Sequence, residues 1–136
     1  MTPDATMVFH HIGIACHDIE RTRAFYESMG YMAGRVVSDA AQGVNVCFME
    51  HDSAPRLELL QPLSDDSPVL RTLNAVGVSP YHQCYQVDDI EQAIKTLRRQ
   101  QRFVLVSRPV PACALNGKRV AFLYHKDVGL IELLEK

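Results

Sequence analysis

HHIGIACHDIE (residues 10–20) and YHQCYQVDDIE (residues 81–91) are two versions of one pattern. They align without a gap at a spacing of 71 positions, which sets His11 over His82, Asp18 over Asp89, Ile19 over Ile90 and Glu20 over Glu91. Each runs from a strand into a helix. Asp18 and Asp89 are good N-cap residues, and Glu20 and Glu91 suit the positive end of a helix dipole. The helices that follow read IERTRAFYESMG and IEQAIKTLRRQ. The first offers Ile19, Phe25, Tyr26 and Met29 as an apolar face, with Gly30 as a stop; the second offers Ile90, Ala93, Ile94 and Leu97.

The far ends of the two halves repeat as well. RLELLQ (56–61) matches LIELLE (130–135), with Glu58 over Glu132 at a spacing of 74 positions, so the halves differ by a small loop. Strand-like runs lie between: GRVVS and GVNVCFME in the first half, RFVLVSRPV and KRVAFLYH in the second. Each half reads β–α–β–β–β, and internal repetition of this kind decides the architecture before any single motif does. The expected fold is α+β, with paired βαβββ modules forming a curved mixed sheet, a cup with helices on its outer face. Module one covers about residues 8–62, a linker 63–79 and module two 80–136, in one domain of 136 residues. In the linker, Ser67 before Pro68 is a helix start, and Gly77 ends that helix.

Strand alternation selects the chemistry. In HIGIA, Ile12, Ile14 and Cys16 face the helix while His11 points away with Gly13 and Ala15. Leu57 and Leu59 take one face and Glu58 the other; Ile131 and Leu133 take one face and Glu132 the other. Tyr81, Tyr85 and Val87 belong under the second helix, Gln83 breaks that pattern, and His82 and Cys84 face away. A lone strand histidine is ordinarily a core or edge residue, and a lone glutamate is ordinarily solvated. Two of each, duplicated, are a different matter. If the modules pair, two imidazoles and two carboxylates converge, a donor set suited to one divalent first-row metal. A single module cannot close such a cup, so pairing occurs within the chain or across a dimer.

Composition removes other classes. Apolar residues make up 47% and charged residues 22%, with a net charge of −2, which fits an ordinary globular domain without a nucleic-acid surface. No apolar run approaches membrane-spanning length. MTPDATMVFHH has no charged-then-apolar signal pattern, which gives the expectation of a cytoplasmic protein. Cys16, Cys47, Cys84 and Cys113 form no CxxC pair and read as reduced, structural thiols. His10, His17, His51 and His125 read as bystanders without a histidine counterpart in the other half.

These residues resemble the vicinal oxygen chelate superfamily, the glyoxalase, bleomycin-resistance and dioxygenase fold, over Phe9 to Glu135. Within it HHIGIACHDIERTRAFYESMGY, QGV (42–44), LELLQPLSDDSPV (57–69), the His82 strand with VDDIE, and HKDVGLIELLE (125–135) are most similar to the methylmalonyl-CoA epimerases. The resemblance implies His11, Glu58, His82 and Glu132 as ligands of one divalent metal (cobalt, manganese, nickel, zinc or iron). It implies epimerisation through an enolate of methylmalonyl-CoA or a related acyl thioester, and a homodimer. Glu132 is the candidate base, with a plain ligand role as the alternative. Some epimerases carry a second carboxylate in the strand after QGV; here that position is Val46. Gln42, Asn45 and Lys126 are candidate substrate contacts, and Lys118, Arg119 and Lys126 candidate partners for the phosphates of an acyl-CoA. Lactoylglutathione lyase, acting on a glutathione adduct with the same ligands, is the main alternative; a non-catalytic small-molecule or drug-binding protein of the same fold is another. Extradiol dioxygenases and fosfomycin-type thiol transferases use two histidines and one glutamate, which leaves Glu58 without a role.

Overall fold

The computed structural model describes residues 6–136, and the chain divides into two units, residues 11–81 and residues 82–136 together with the segment ending at His10. The expected transition points are where chain chemistry puts them. Asp18 precedes α1 (Ile19–Ser28) in extended conformation, and its carboxylate accepts from the Glu20 N–H at 2.9 Å. Asp89 does the same before α3 (Ile90–Gln100), accepting from the Gln92 N–H at 3.0 Å. Each cap satisfies one of the donors that a helix leaves unpaired at its start. Pro68 opens α2 (Pro68–Val76) at its first position, where a missing N–H costs nothing.

In the unit 11–81, β1 (Val8–Ala15) contributes its residues from His11 onward. It pairs in parallel with β5 (Leu57–Pro62), in register Gly13 with Glu58 and Ile14 with Leu59. On its other side β5 pairs antiparallel with β4 (Val44–Glu50), in register Phe48 with Glu58. β2 (Met32–Ala33) and β3 (Val37–Asp39) both pair with β4. The strand expected over GRVVS (residues 34–38) begins only at Val37, and a separate two-residue strand precedes it at Met32–Ala33. Four steps from Ala33 to Val37 oppose three from Met49 to Val46, so the segment bulges at residues 34–36. The Gly34 N–H still reaches the Phe48 carbonyl at 2.8 Å. Ile14, Cys16, Ile19, Tyr31, Cys47, Met49, Leu57 and Leu59 form the core between this sheet and α1.

In the other unit, β6 (Ser79–Val87) contributes its residues from His82 onward and pairs in parallel with β9 (Gly129–Glu135), in register Cys84 with Glu132. β9 pairs antiparallel with β8 (Arg119–His125), Glu132 with Phe122, and β8 with β7 (Val104–Pro111). Ile90, Ala93, Ile94 and Leu97 of α3 are buried against Val87, Ala121, Leu123, Ile131 and Leu133, as their spacing predicts. Each fully buried aliphatic side chain contributes roughly 1.5–3 kcal/mol. α1 corrects its sequence reading. Ile19 is buried and Tyr26 packs on the core, but Phe25 and Met29 are 60% and 55% exposed.

Candidate functional site

Glu58 and Glu132 do not lie on edge strands. β5 runs between β4 and β1, and β9 between β6 and β8, so each carboxylate has a hydrogen-bonded strand on either side. Its partner on the parallel strand that leads into the helix is small, Gly13 in one unit and Cys84 in the other. Two residues before each small partner stands a histidine on the same face. The result is two imidazole–carboxylate pairs: His11 Nε2 to Glu58 Oε1 at 3.2 Å, and His82 Nε2 to Glu132 Oε1 at 3.1 Å. All four residues are buried, with exposures of 0%, 5%, 4% and 2% in the order His11, Glu58, His82, Glu132.

Burying a carboxylate is costly without a cation or hydrogen-bond donors around it. Two donors each about 2.1 Å from one first-row cation stand about 3.0 Å apart when adjacent in an octahedron and about 3.4 Å apart in a tetrahedron. Either pair satisfies that spacing, and the neutral-imidazole and carboxylate chemistry fits such an ion. The same spacing serves a plain hydrogen bond. What distinguishes these pairs is that the same donors recur at equivalent register positions in both units.

Sequence reasoning missed two further duplications. Phe48 and Phe122, cross-strand partners of Glu58 and Glu132, are 74 positions apart. Their rings meet His11 and His82 at centroid distances of 5.3 Å each, with interplanar angles of 78° and 84°. His51 and His125, read as bystanders without counterparts, are counterparts at the same 74-residue spacing. His51 Nδ1 accepts from the Ser53 and Ala54 N–H groups, and His125 Nδ1 from the Asp127 N–H, so each ring pins the turn after its strand. Each also packs on an aromatic ring, Tyr31 and Phe103 respectively.

The other candidates separate. Asn45 faces away from Glu58: Phe48 is the partner of Glu58, and three steps along a regular strand reverse the face. Asn45, a candidate substrate contact, instead accepts from the Ser38 hydroxyl at 2.6 Å. The Gln42 side-chain amide donates to Asp39 at 2.7 Å and its backbone N–H to the same carboxylate at 3.2 Å, so Gln42 helps hold a turn. Asp39 is buried and shares the face of Glu58 by register, a placement the sequence did not disclose. Lys126 and Lys118 are exposed. Arg119 is not a free phosphate binder. Its guanidinium holds Glu135 at 2.8 Å and Glu91 at 2.7 Å. These hydrogen bonds keep both carboxyls below their usual range. Burial pushes the Cys16 thiol up to about 11 and raises Cys47, which argues against a thiolate nucleophile at either position.

The Glyoxalase/Bleomycin resistance protein/Dioxygenase superfamily matches residues 10–122. The chain belongs to this superfamily. Human mitochondrial methylmalonyl-CoA epimerase is 36% identical over 129 residues, covering 91% of this chain and 71% of the relative. An ethylmalonyl-CoA/methylmalonyl-CoA epimerase of Cereibacter sphaeroides is 35% identical over 130 residues, covering 91% and 94%. Among solved structures, a variant of the Streptomyces coelicolor methylmalonyl-CoA epimerase in complex with 2-nitronate-propionyl-CoA superposes with a TM-score of 0.81 at 26% identity, covering 96% of this chain and 99% of that one. The fold is therefore that of the glyoxalase-like class, a mixed sheet with three helices, as the repeated halves predict. Among the described residues, no helix is long and apolar enough to cross a membrane.

Proposed function

We propose that this chain is a divalent-metal-dependent epimerase of methylmalonyl-CoA or a closely related acyl thioester, with His11, Glu58, His82 and Glu132 holding one cation together. The observation that carries the reading is the duplicated imidazole–carboxylate pair, buried on interior strands at equivalent registers of both units. The names of the relatives supply the substrate class. Solved relatives carrying acyl-CoA ligands, among them a methylmalonyl-CoA epimerase in complex with methylmalonyl-CoA and NH4+, support an acyl thioester over a glutathione adduct.

A cation held there supplies Lewis acidity toward the substrate oxygens, where negative charge builds as the α-proton leaves. The chain's own residues do the rest. The four donors orient the acyl group, and their burial keeps bulk water from competing for it. Glu132 removes the α-proton, since a carboxylate is the one donor type of this set that can trade a ligand role for a base role. The partner that returns the proton from the opposite face is neither Val46, an apolar residue on the face of Glu58, nor Asn45, which lies on the other face.

Solvent exchange tests the reading. Cobalt-loaded protein is mixed with methylmalonyl-CoA in heavy water and the α-proton followed by NMR. Metal-dependent deuterium uptake is expected. Absence of exchange in protein with cobalt bound would refute the substrate assignment and favour the glutathione adduct or a binding role. Absence of cobalt binding would refute the site.

A further inference from the structure

We infer that Phe48 and Phe122 are positioning residues for the metal site, each fixing the ring orientation of one histidine ligand. The inference rests on the metal reading above and adds a role for two residues outside the donor set. Phe48 lies on β4, across from Glu58 on β5, and its ring reaches His11 on β1, the strand beyond. Phe122 on β8 stands across from Glu132 on β9 and reaches His82 on β6 in the same way. The residue next to each glutamate on the far strand, Gly13 or Cys84, is small, which leaves the phenyl ring room to lie over that row.

An imidazole on a strand has a broad, roughly two-fold preference about its ring torsion, so the backbone alone does not aim Nε2. A perpendicular aromatic neighbour restricts it, because an edge set against a ring face is favoured over a face-to-face sandwich. Both contacts have the same centroid distance, 5.3 Å, and near-perpendicular planes, although the sequences around the two phenylalanines differ (VCFME and VAFLY). Such agreement is what a shared function at the histidine requires. The two phenylalanines lie on the face opposite the helices, half-buried, beside the donors.

The test uses metal-free full-length protein titrated with cobalt(II) by calorimetry against a competing chelator, with the visible cobalt spectrum recorded. Phe48→Leu and Phe122→Leu are each expected to weaken cobalt binding about tenfold, and the double variant about a hundredfold, as partners of ligands to one ion. The stoichiometry stays near one and the cobalt bands shift, because the imidazole is no longer held at one angle. Phe48→Met and Phe122→Met fill similar space without a flat ring and give the same losses if either leucine variant fails to fold. Phe25→Leu, an exposed helix residue, changes nothing. Wild-type affinity and spectrum in the leucine or methionine variants, with only the metal-free unfolding temperature lowered, would overturn the inference in favour of a packing role. Failure of the wild type itself to take up cobalt would overturn the metal reading, and the inference with it.

Discussion

Glu58 and Glu132 offer an internal control that few sites possess. Their distances to histidine are 3.2 and 3.1 Å, both are nearly fully buried, both face a phenylalanine across an antiparallel ladder, and both have a small residue across the parallel one. As ligands they are equivalent, so Glu58→Gln and Glu132→Gln should weaken metal binding by the same factor. An amide retains an oxygen donor but loses the charge, and a loss of about tenfold, or about 1.4 kcal/mol, is the scale expected. As bases they are not equivalent. If Glu132 takes the α-proton, Glu132→Gln loses a further 10²- to 10⁴-fold, roughly the range for general base catalysis, at saturating metal. Glu58→Gln keeps its rate within about tenfold under the same condition. The assay is the rate of α-proton exchange in heavy water at a metal concentration that calorimetry shows to be saturating for each variant. Equal rate losses in the two variants would refute the assignment of the base to Glu132, and a larger loss in Glu58→Gln would move the base to the other unit.

Other outcomes follow from the same geometry. His11→Ala should abolish metal uptake or cut it heavily, read by elemental analysis after gel filtration; full occupancy would remove His11 from the ligand set. Stripping the metal with a chelator should lower the unfolding temperature by about 10 °C, since ligand at a hundred times its Kd contributes about 2.7 kcal/mol to a domain of this size. Leu59→Ala and Leu133→Ala, counterparts that are both fully buried, should each cost about 2–5 kcal/mol in urea unfolding, with neither half spared. In acid the Arg119 cluster sets a sign. Glu91 and Glu135 titrate below their usual range when folded, so the stability they add is present above about pH 4.5, the ordinary carboxyl value, and is lost as pH falls through the lowered folded values. Arg119→Met should therefore be less stable than wild type at pH 7 in urea unfolding, with the gap closing toward pH 3; a constant gap would assign the loss to packing.

Much of this was legible because it is repeated. Asp18 and Asp89 cap their helices, the Ile14, Cys16, Leu57 and Leu59 face lies in the core, and Ile90, Ala93, Ile94 and Leu97 lie where a helical period puts them. Alternation carried the four donors to one face of each sheet. It failed where it was not applied. Asn45 was read as a candidate substrate contact without that count, and counting from Phe48 puts it on the face away from Glu58. Phe25 and Met29 failed for a different reason. In a ten-residue helix Ile19 and Tyr26 suffice to anchor the core face, and apolar type alone does not say which neighbours turn outward.

The missed histidines show how the repeat is built. Early landmarks, His11 with His82 and Asp18 with Asp89, are 71 positions apart, whereas late ones, Phe48 with Phe122, His51 with His125 and Glu58 with Glu132, are 74 apart. Three extra residues therefore enter the second half between Glu91 and Phe122, and a search at the early spacing pairs each late residue with the wrong partner. At the late spacing even the second helix clamp appears. Gln61 accepts from the Ile19 N–H at 2.9 Å, and its counterpart Glu135 accepts from the backbone of Ile90. Glu135 is also gripped by Arg119, an ion pair with no equivalent at Gln61. The two halves thus share their donors, the rings beside the donors and the clamp on each helix, and they differ where a charge was added to the second clamp. Features that survived in both halves despite the three-residue shift are those tied by register to Glu58 and Glu132, which is why the site is better preserved between the halves than the loops that lead to it.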